Sequence, residues 1–374
     1  MRQALQLARR GHGSTSPNPM VGAVLVKNGE VIGRGWHRRA GLPHAEIEAL
    51  RDAQKRGHPA RGAALHVTLE PCCTHGRTPP CTDAIISAGI KKVIVGAIDP
   101  NPKHAGNGLK ILRRAGIEVV CGILADECTK LNEAFNHWIV RRKPFVIVKA
   151  AMTLDGKIAT ASGESKWITG EKARAVGMKL RQGADAVLVG VNTVLADNPS
   201  LTVRGSGIKV QSPKLRRIVL DSMARTPLDS NVVSDEFAEL TTIVVSKNAP
   251  KNRIEALAKR ANVLIAPTIN LKFKIQNSKL DLRWLLKKLG SENVTSLLVE
   301  GGGEVNASFL LGGFARRVAF FYAPKILGGR GSRKAVAGTG VTDLAEAIQL
   351  KEIGWKRVGE DLLLTALVAN GGKK

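Results

Sequence analysis

Apolar residues in the first third of the chain change their spacing in a regular order, and each change predicts an element. Residues 21–27 and 30–36 are apolar runs joined by Asn28-Gly29, a dipeptide that accepts the two positive φ values of a type I′ turn and so predicts a β-hairpin. Residues 45–56 carry Ala45, Ile47, Ala49, Leu50 and Ala53 at helical spacing, and 63–69 return to strand character. A helix over 80–88, a strand over 92–97, a helix over 109–115, a strand over 117–121 and a helix over 125–139 follow, which predicts a sheet with helices on both faces. Ahead of the hairpin stand a brief helix and an irregular stretch closed by Asn18-Pro19.

The basic, proline-marked joint Arg141-Arg142-Lys143-Pro144 interrupts this pattern. Beyond it a strand opens at Phe145, and further strands are predicted near 185–190, 217–221, 241–245, 296–300, 318–322 and 362–367, interleaved with helices. At about 150 residues per domain, a chain of 374 residues divides into two α/β domains, 1–143 and 144–374. Residues 206–213 and 267–278 read as loops or insertions.

Composition narrows the function. The N-terminus lacks the apolar core of a signal peptide and no window reaches 18 uninterrupted apolar residues, so a cytoplasmic protein without a membrane partner is expected. Three of the five cysteines (Cys72, Cys73, Cys81) crowd one loop, which in a reducing compartment points to metal rather than disulfides. Cys121 and Cys128 read as small core residues. The net charge of +26 is dispersed as doublets such as Arg38-Arg39 and Arg216-Arg217, and aromatic residues make up only 4%. That distribution fits a solvated surface that steers small anions better than a nucleic-acid interface.

The chemistry concentrates in His44-Ala45-Glu46, Pro71-Cys72 and Cys81. One imidazole and two thiolates make a three-ligand zinc site whose fourth position is open to water of lowered pKa, a catalytic rather than a structural count. Glu46, two residues from the imidazole, is placed to move protons between that water, a ring nitrogen and a departing amine. The cysteines are separated by eight residues instead of the two usual in nucleobase deaminases. Cys81 is expected to open the helix after Pro80, where the helix N-terminus favours a thiolate. Cys73 or His75 could replace one ligand, and a closed structural zinc knot is the other reading of the cluster. The remaining histidines (His12, His37, His58, His66, His104, His137) read as surface or satisfied core residues.

In the second half, residues 149–159 and 162–169 form a strand passing into a polar loop and a helix, and Arg204 closes a polar crest suited to gripping phosphate. Leu297-Leu298-Val299-Glu300 runs into Gly301-Gly302-Gly303 and a helix, a geometry that offers free N–H groups to a cofactor diphosphate. It is not the G-x-G-x-x-G fingerprint.

The motifs Pro17-Asn18-Pro19-Met20-Val21-Gly22, His44-Ala45-Glu46 and 70–81, joined to the second-half segments in this order, resemble the deaminase/reductase family of riboflavin biosynthesis over nearly the whole chain. The resemblance implies a cytidine-deaminase-like αβα domain followed by a dihydrofolate-reductase-like α/β domain, one zinc ion per chain and NADPH. It implies that His44, Cys72 and Cys81 bind zinc, that Glu46 is catalytic, and that Asn18, His75 and Arg77 line the first pocket. The substrate it implies is 2,5-diamino-6-ribosylaminopyrimidinone phosphate, deaminated at the 2-amino group and then reduced from ribosyl to ribityl.

In the reductase half the family pattern assigns Ala151, Trp167, Thr193, Asp197, Ser222, Gly302, Gly303, Glu304, Val305, Asn306, Ala307 and Ser308 to NADPH. Ser165, Arg181, Leu201, Arg204, Glu300 and Lys149 fall to substrate. Asp197 and Glu300 are the first carboxylates to examine as a proton source. Cys73 stands where the family often has Ser. A homo-oligomer is expected by analogy, and nucleic acid is not an expected partner. The alternative that the charge and the His-Ala-Glu motif also permit is a nucleic-acid-editing zinc deaminase with a basic accessory domain.

Overall fold

The computed structural model describes residues 1–75, 79–204, 215–267 and 280–369, and these divide into two units, Met1–Arg142 and Lys143–Lys374. In the first unit the order is α1 (Arg2–Ala8), β1 (Gly22–Lys27), β2 (Glu30–Trp36), α2 (Ala45–Lys55), β3 (Ala64–Leu69), α3 (Cys81–Ser87) and β4 (Lys92–Ala97). It ends with α4 (Asn107–Arg114), β5 (Glu118–Cys121), α5 (Ala125–Leu131) and α6 (Glu133–Arg141). The sheet order is β2-β1-β3-β4-β5, antiparallel as far as β3 and parallel beyond it.

The Asn28-Gly29 turn has φ of 50° and 83°, the type I′ signature its sequence predicts. Next to it, a Cβ on Gly33 or Gly35 of β2 would overlap the carbonyl oxygens of Ala49 and Ala45. Glycine on the strand and alanine on the helix therefore let α2 lie directly against β2, which places the start of α2, His44, beside the strand ends. The apolar face of α2 joins Leu25, Leu65, Val67, Val93, Val95, Ile85 and Leu112 in one core. Cys128 is fully buried in that core, with Cys121 packed against it.

The single helix expected over 125–139 is two helices. Asn132 interrupts it because its side-chain amide is committed to the backbone of Met20, accepting from Met20 N at 2.8 Å and donating to Met20 O at 2.9 Å. Those bonds also pin the 17–21 segment that carries Asn18.

The second unit comprises β6 (Phe145–Thr153), β7 (Lys157–Ala159), α7 (Glu171–Gln182), β8 (Ala186–Gly190), α8 (Val191–Asp197), β9 (Arg216–Leu220), α9 (Asn231–Ser234) and β10 (Thr241–Ser246). It continues through α10 (Lys251–Ala258), β11 (Asn262–Ala266), α11 (Leu282–Ser291), β12 (Ser296–Val299) and α12 (Gly303–Leu311). The last strands are β13 (Arg317–Ala323), β14 (Arg333–Lys334), β15 (Leu350–Val358) and β16 (Asp361–Val368). Nine strands form one sheet in the order β11-β10-β9-β8-β12-β6-β13-β16-β15, parallel through β13 and antiparallel at β16 and β15.

Every residue of β8 and β12 is buried, as expected of parallel strands covered on both faces. Separate apolar clusters form around Val146, Leu188 and Phe309 and around Val187, Val189 and Ile243. Loops after β6, β8, β9 and β12 leave from the same carboxyl edge, the usual place for a ligand crevice in open α/β sheets. Residues 206–213 and most of 267–278 lie outside the described residues.

Candidate active sites

In the first unit, His44 is the N-cap residue of α2, Cys72 lies just after β3, and Cys81 is the first residue of α3. His44 Nδ1 is 3.5 Å from Cys72 Sγ and 3.3 Å from Cys81 Sγ. The three ligand atoms lie within 4.8 Å of one another, the one such cluster among the described residues. The backbone N–H of Cys81 donates to Cys72 Sγ at 3.3 Å, so the exposed N–H at the start of α3 supports a thiolate. Cys73 Sγ instead faces His104 Nδ1 at 3.5 Å, and His75 is exposed. Neither belongs to the cluster.

The electrostatics suit a divalent ion. A hydrogen bond from the Cys81 thiol, with His44 beside it, lowers Cys72 to about 4, and the resulting thiolate raises Cys81. The Cys72 hydrogen bond raises His44. Two sulfurs and a ring nitrogen thus converge on one point with a single proton disputed between the sulfurs. Glu46, on the first turn of α2, is 3% exposed, and burial raises its carboxyl to about 7 against the opposing charge of His44. A carboxyl in that range can both accept and release a proton near neutral pH.

His37, read from the sequence as an ordinary histidine, belongs to this site. It is 2% exposed and meets His44 edge-on at 5.2 Å. Its Nδ1 donates to Pro43 O and its Nε2 accepts from Asn18 Nδ2, both at 3.1 Å, which fixes a neutral tautomer. Burial lowers its pKa. Asn18 is held at the site through this bond; Arg77 lies outside the described residues. Behind Cys73, Glu70 accepts from the N–H groups of Asp99, Gly106 and Gly108 and ties down the loop that carries His104. No residue spacing announces these contacts, because they join loops distant in sequence.

In the second unit, two adjoining cavities of about 740 and 490 Å³ open at the carboxyl edge of the sheet and share Ser165, Thr193, Asp197 and Gly302 in their walls. Ser222, Gly303, Glu304, Val305 and Ser308 line the larger one. Ala151, Trp167, Lys149, Arg181, Leu201, Arg204 and Glu300 line the smaller. Asn306 and Ala307 line neither. Both are fully buried on the inner side of α12, where Asn306 Nδ2 donates to Ala335 O.

The glycine run divides its labour. A side chain on Gly301 would strike Val305, and one on Gly303 would overlap the Lys334 carbonyl oxygen. At Gly302 the nearest atom to an added Cβ is Thr193 Oγ1, 3.9 Å away. Its hydrogen therefore borders open cleft, and the first-turn N–H groups of α12 stand behind it. This is a cradle that fits a diphosphate and that one methyl group would fill.

The floor of the smaller cavity is an ion network. Arg181 donates through Nε and Nη2 to the two Glu300 oxygens, both at 2.8 Å, and through Nη1 to Thr202 O at 3.0 Å. Lys149 Nζ stands 3.7 Å from Glu300 Oε2. Burial alone would raise Glu300, but Lys149 and Arg181 hold it at about 2. Glu300 is thus ionised at neutral pH, an acceptor and not a proton source. Asp197 accepts from Ser165 Oγ at 3.0 Å.

A family model described as the cytidine and deoxycytidylate deaminase zinc-binding region matches residues 1–97, and one described as the RibD C-terminal domain matches 144–364. The riboflavin biosynthesis protein RibD of Actinobacillus pleuropneumoniae is 45% identical over 98% of this chain and 94% of its own, and that of Aquifex aeolicus 44% over 97% and 96%. Among solved structures, the diaminohydroxyphosphoribosylaminopyrimidine deaminase/5-amino-6-(5-phosphoribosylamino)uracil reductase of Thermotoga maritima is similar at 37% identity and TM-score 0.85, covering 99% of this chain and 97% of that one. Acinetobacter baumannii RibD, form 1, gives 35% identity and TM-score 0.84 over 98% and 97%. The matches run through both halves, so the second is a reductase domain and the editing-deaminase alternative falls away. The chain belongs to the RibD family: it is a bifunctional deaminase and reductase of riboflavin biosynthesis, with zinc and NADPH as its cofactors.

Proposed function

We propose that residues 1–143 deaminate 2,5-diamino-6-ribosylaminopyrimidinone phosphate at its 2-amino group and that residues 144–374 reduce the ribosyl group of the product to ribityl. The observation that carries the first half is the meeting of His44 Nδ1, Cys72 Sγ and Cys81 Sγ next to a buried carboxyl whose pKa is raised to about 7.

Zinc, when bound by those three residues, supplies a Lewis acid that brings the pKa of water towards neutrality. Glu46 would take a proton from the water that attacks C2 and deliver it to the ring nitrogen, then carry the second proton of that oxygen to the amine, which leaves as ammonia as the C2 carbonyl forms. Asn18 and His37 hold the adjacent wall, and the family resemblance assigns His75 and Arg77 to the same pocket.

NADPH, when bound along Gly302, Gly303 and the first turn of α12, supplies the two reducing electrons. Ala151, Trp167, Thr193, Asp197 and Ser222 orient it, and the other α12 residues assigned to it, Glu304, Val305, Asn306, Ala307 and Ser308, build or back that turn. Ionised Glu300, steadied by Arg181 and Lys149, accepts hydrogen bonds from sugar hydroxyls, while Ser165, Leu201 and Arg204 hold the remainder of the substrate. Arg204 is the phosphate grip. Small-molecule substrates account for the binding chemistry with no nucleic acid involved. A cytoplasmic homo-oligomer fits the reading, and among the described residues no helix is long and apolar enough to cross a membrane.

The test supplies the diaminopyrimidine with NADPH and follows ammonia and the reduced-nicotinamide absorbance together. Both signals are expected in sequence, and Cys81→Ala should lose zinc and ammonia release at once. Ammonia release by zinc-free protein would refute the first assignment.

A further inference from the structure

The crest that follows α8 walls the smaller cavity, and it takes a course that its own sequence does not favour. Asn198 ends α8 with φ 41° and ψ 56°, and Leu201 has φ 51°. Asparagine visits this left-handed region at little cost, whereas a leucine rarely does, so contacts from outside must hold the segment in place. Arg204, the phosphate grip, stands three positions beyond Leu201. We propose that Asn231 is a positioning residue of the reductase: by clasping Asn198 it holds the crest so that Arg204 meets the substrate's phosphate. This rests on the reading of Arg204 as that grip.

Supports are spaced along the crest at every second residue. Asn231, the first residue of α9, donates its backbone N–H to Asn198 Oδ1 at 2.8 Å and its side-chain Nδ2 to Asn198 O at 2.7 Å. Arg217 donates to Ser200 O at 2.9 Å, and Arg181 to Thr202 O at 3.0 Å. At the far end, Thr202 Oγ1 accepts from Arg204 Nε at 2.9 Å and aims the guanidinium. The Asn231 clasp is the support at the start, where α8 hands over to the crest.

The clasp works because its anchor cannot move. A helix as short as α9 has no stability of its own, but Val232 and Val233 are buried in the core. The Val232 carbonyl accepts from Arg217 Nη2 at 3.1 Å and from Thr241 Oγ1 at 2.6 Å, and Asp235 pairs with Arg217. The crest has no such footing until Leu201, whose side chain joins the same cluster. Leu201 is therefore a pivot. With Asn198 released, the two left-handed residues relax, and rotation about the Leu201 backbone carries Arg204 away from the cavity. Neither asparagine bears a charge or a proton the reduction can use, so the loss falls on the grip of the phosphate and not on hydride transfer.

The experiment follows NADPH oxidation by the zinc-loaded full chain on the deaminated pyrimidine with and without its phosphate. In the wild type the phosphate is expected to lower KM by at least about tenfold, the scale of one charge-assisted contact. Asn231→Ala should cut that ratio to below about threefold while kcat stays within about twofold, with ammonia release and melting temperature unchanged. Asn198→Gly, which keeps the left-handed backbone but removes the acceptor, should lower the ratio as well, and Asn198→Asp, which keeps both, should restore it. Added to Arg204→Ala, Asn231→Ala should change nothing further, because the two act through one contact. A ratio that survives in both Asn231→Ala and Asn198→Gly overturns the proposal, and so does a further loss on top of Arg204→Ala. If Arg204→Ala itself keeps the wild-type ratio, the reading of the phosphate grip fails, a result distinct from a clasp that positions nothing.

Discussion

Replacing Gly302 by Ala adds one methyl group to the wall of the larger cavity and nothing else. The backbone tolerates it, since φ −68° and ψ 176° are available to any residue. Beyond the adjoining residues of the chain, the nearest atom to the new carbon is Thr193 Oγ1, 3.9 Å away. Folding stability should therefore stay within about 1 kcal/mol of the wild type, or rise slightly because alanine has less freedom than glycine in the unfolded chain. Binding is another matter. A phosphate oxygen accepting from the first N–H groups of α12 must approach over Gly302, and the methyl occupies that approach. Losing one such charge-assisted bond costs about 1.5–3 kcal/mol, or roughly ten- to hundredfold in the Kd for NADPH. Gly303→Ala is the contrast, because its methyl would overlap the Lys334 carbonyl and must unseat that segment before any cofactor arrives. Calorimetric titration with NADPH and thermal melting separate the two. An unchanged Kd in Gly302→Ala, or a melting collapse in that variant, would refute the cradle.

Glu46→Gln should retain zinc, measured by atomic absorption, while ammonia release falls by at least about a hundredfold; full activity would exclude Glu46 as the proton carrier. In the chelated protein the same variant reports on burial. Because the folded pKa is raised from 4.5 to about 7, the folded chain holds this proton more tightly, and ionising Glu46 costs stability as pH climbs through that window. At most about 3 kcal/mol is at stake, so urea unfolding should show Glu46→Gln gaining over wild type at pH 8 and not at pH 4. Arg217→Met should cost about 3–5 kcal/mol in urea unfolding: Arg217 is 1% exposed, pairs with both Asp235 oxygens at 2.7 and 2.8 Å, and donates to Ser200 O in the substrate-side loop. Adding Asp235→Leu should recover much of that loss; no recovery would mean that the carbonyl bonds matter more than the ion pair.

Features determined by neighbouring residues were legible in the sequence. Asn28-Gly29 specifies its turn through local φ preference, and the Ala-spaced face of α2 specifies its packing through helical period. Cys81 opens α3 because Pro80 before it suits a helix entry. What escaped is set by distant partners. Asn132 breaks a well-patterned helix only because Met20 lies within reach of its amide. Strand β15 exposes nearly all its side chains at the sheet edge, so no alternation marks it. Asn306 and Ala307 belong to the motif that follows the glycines, yet helical rotation turns them into the core. His37 gains its place in the site only from Asn18 and Pro43, which hold its ring.

The two sites treat buried charge in opposite ways, and this explains why one chain needs one resident ion and one exchangeable cofactor. Around Glu300 the protein supplies its own counter-charges, Arg181 and Lys149, whose pairing balances the carboxylate's charge before any ligand enters. The cleft can therefore empty and refill at each turnover without exposing an unpaired charge, as a reductant consumed in every cycle requires. Around His44 the chain brings together two thiols, an imidazole and the carboxyl of Glu46, and among the described residues the thiols and the imidazole hydrogen-bond to one another. Converging donors of this kind make a strong case for a cation that stays bound, since its loss would return the desolvation cost to the fold. A resident metal and an exchangeable dinucleotide thus follow from what each site holds: converging thiols and an imidazole in one, a carboxylate paired with two cations in the other.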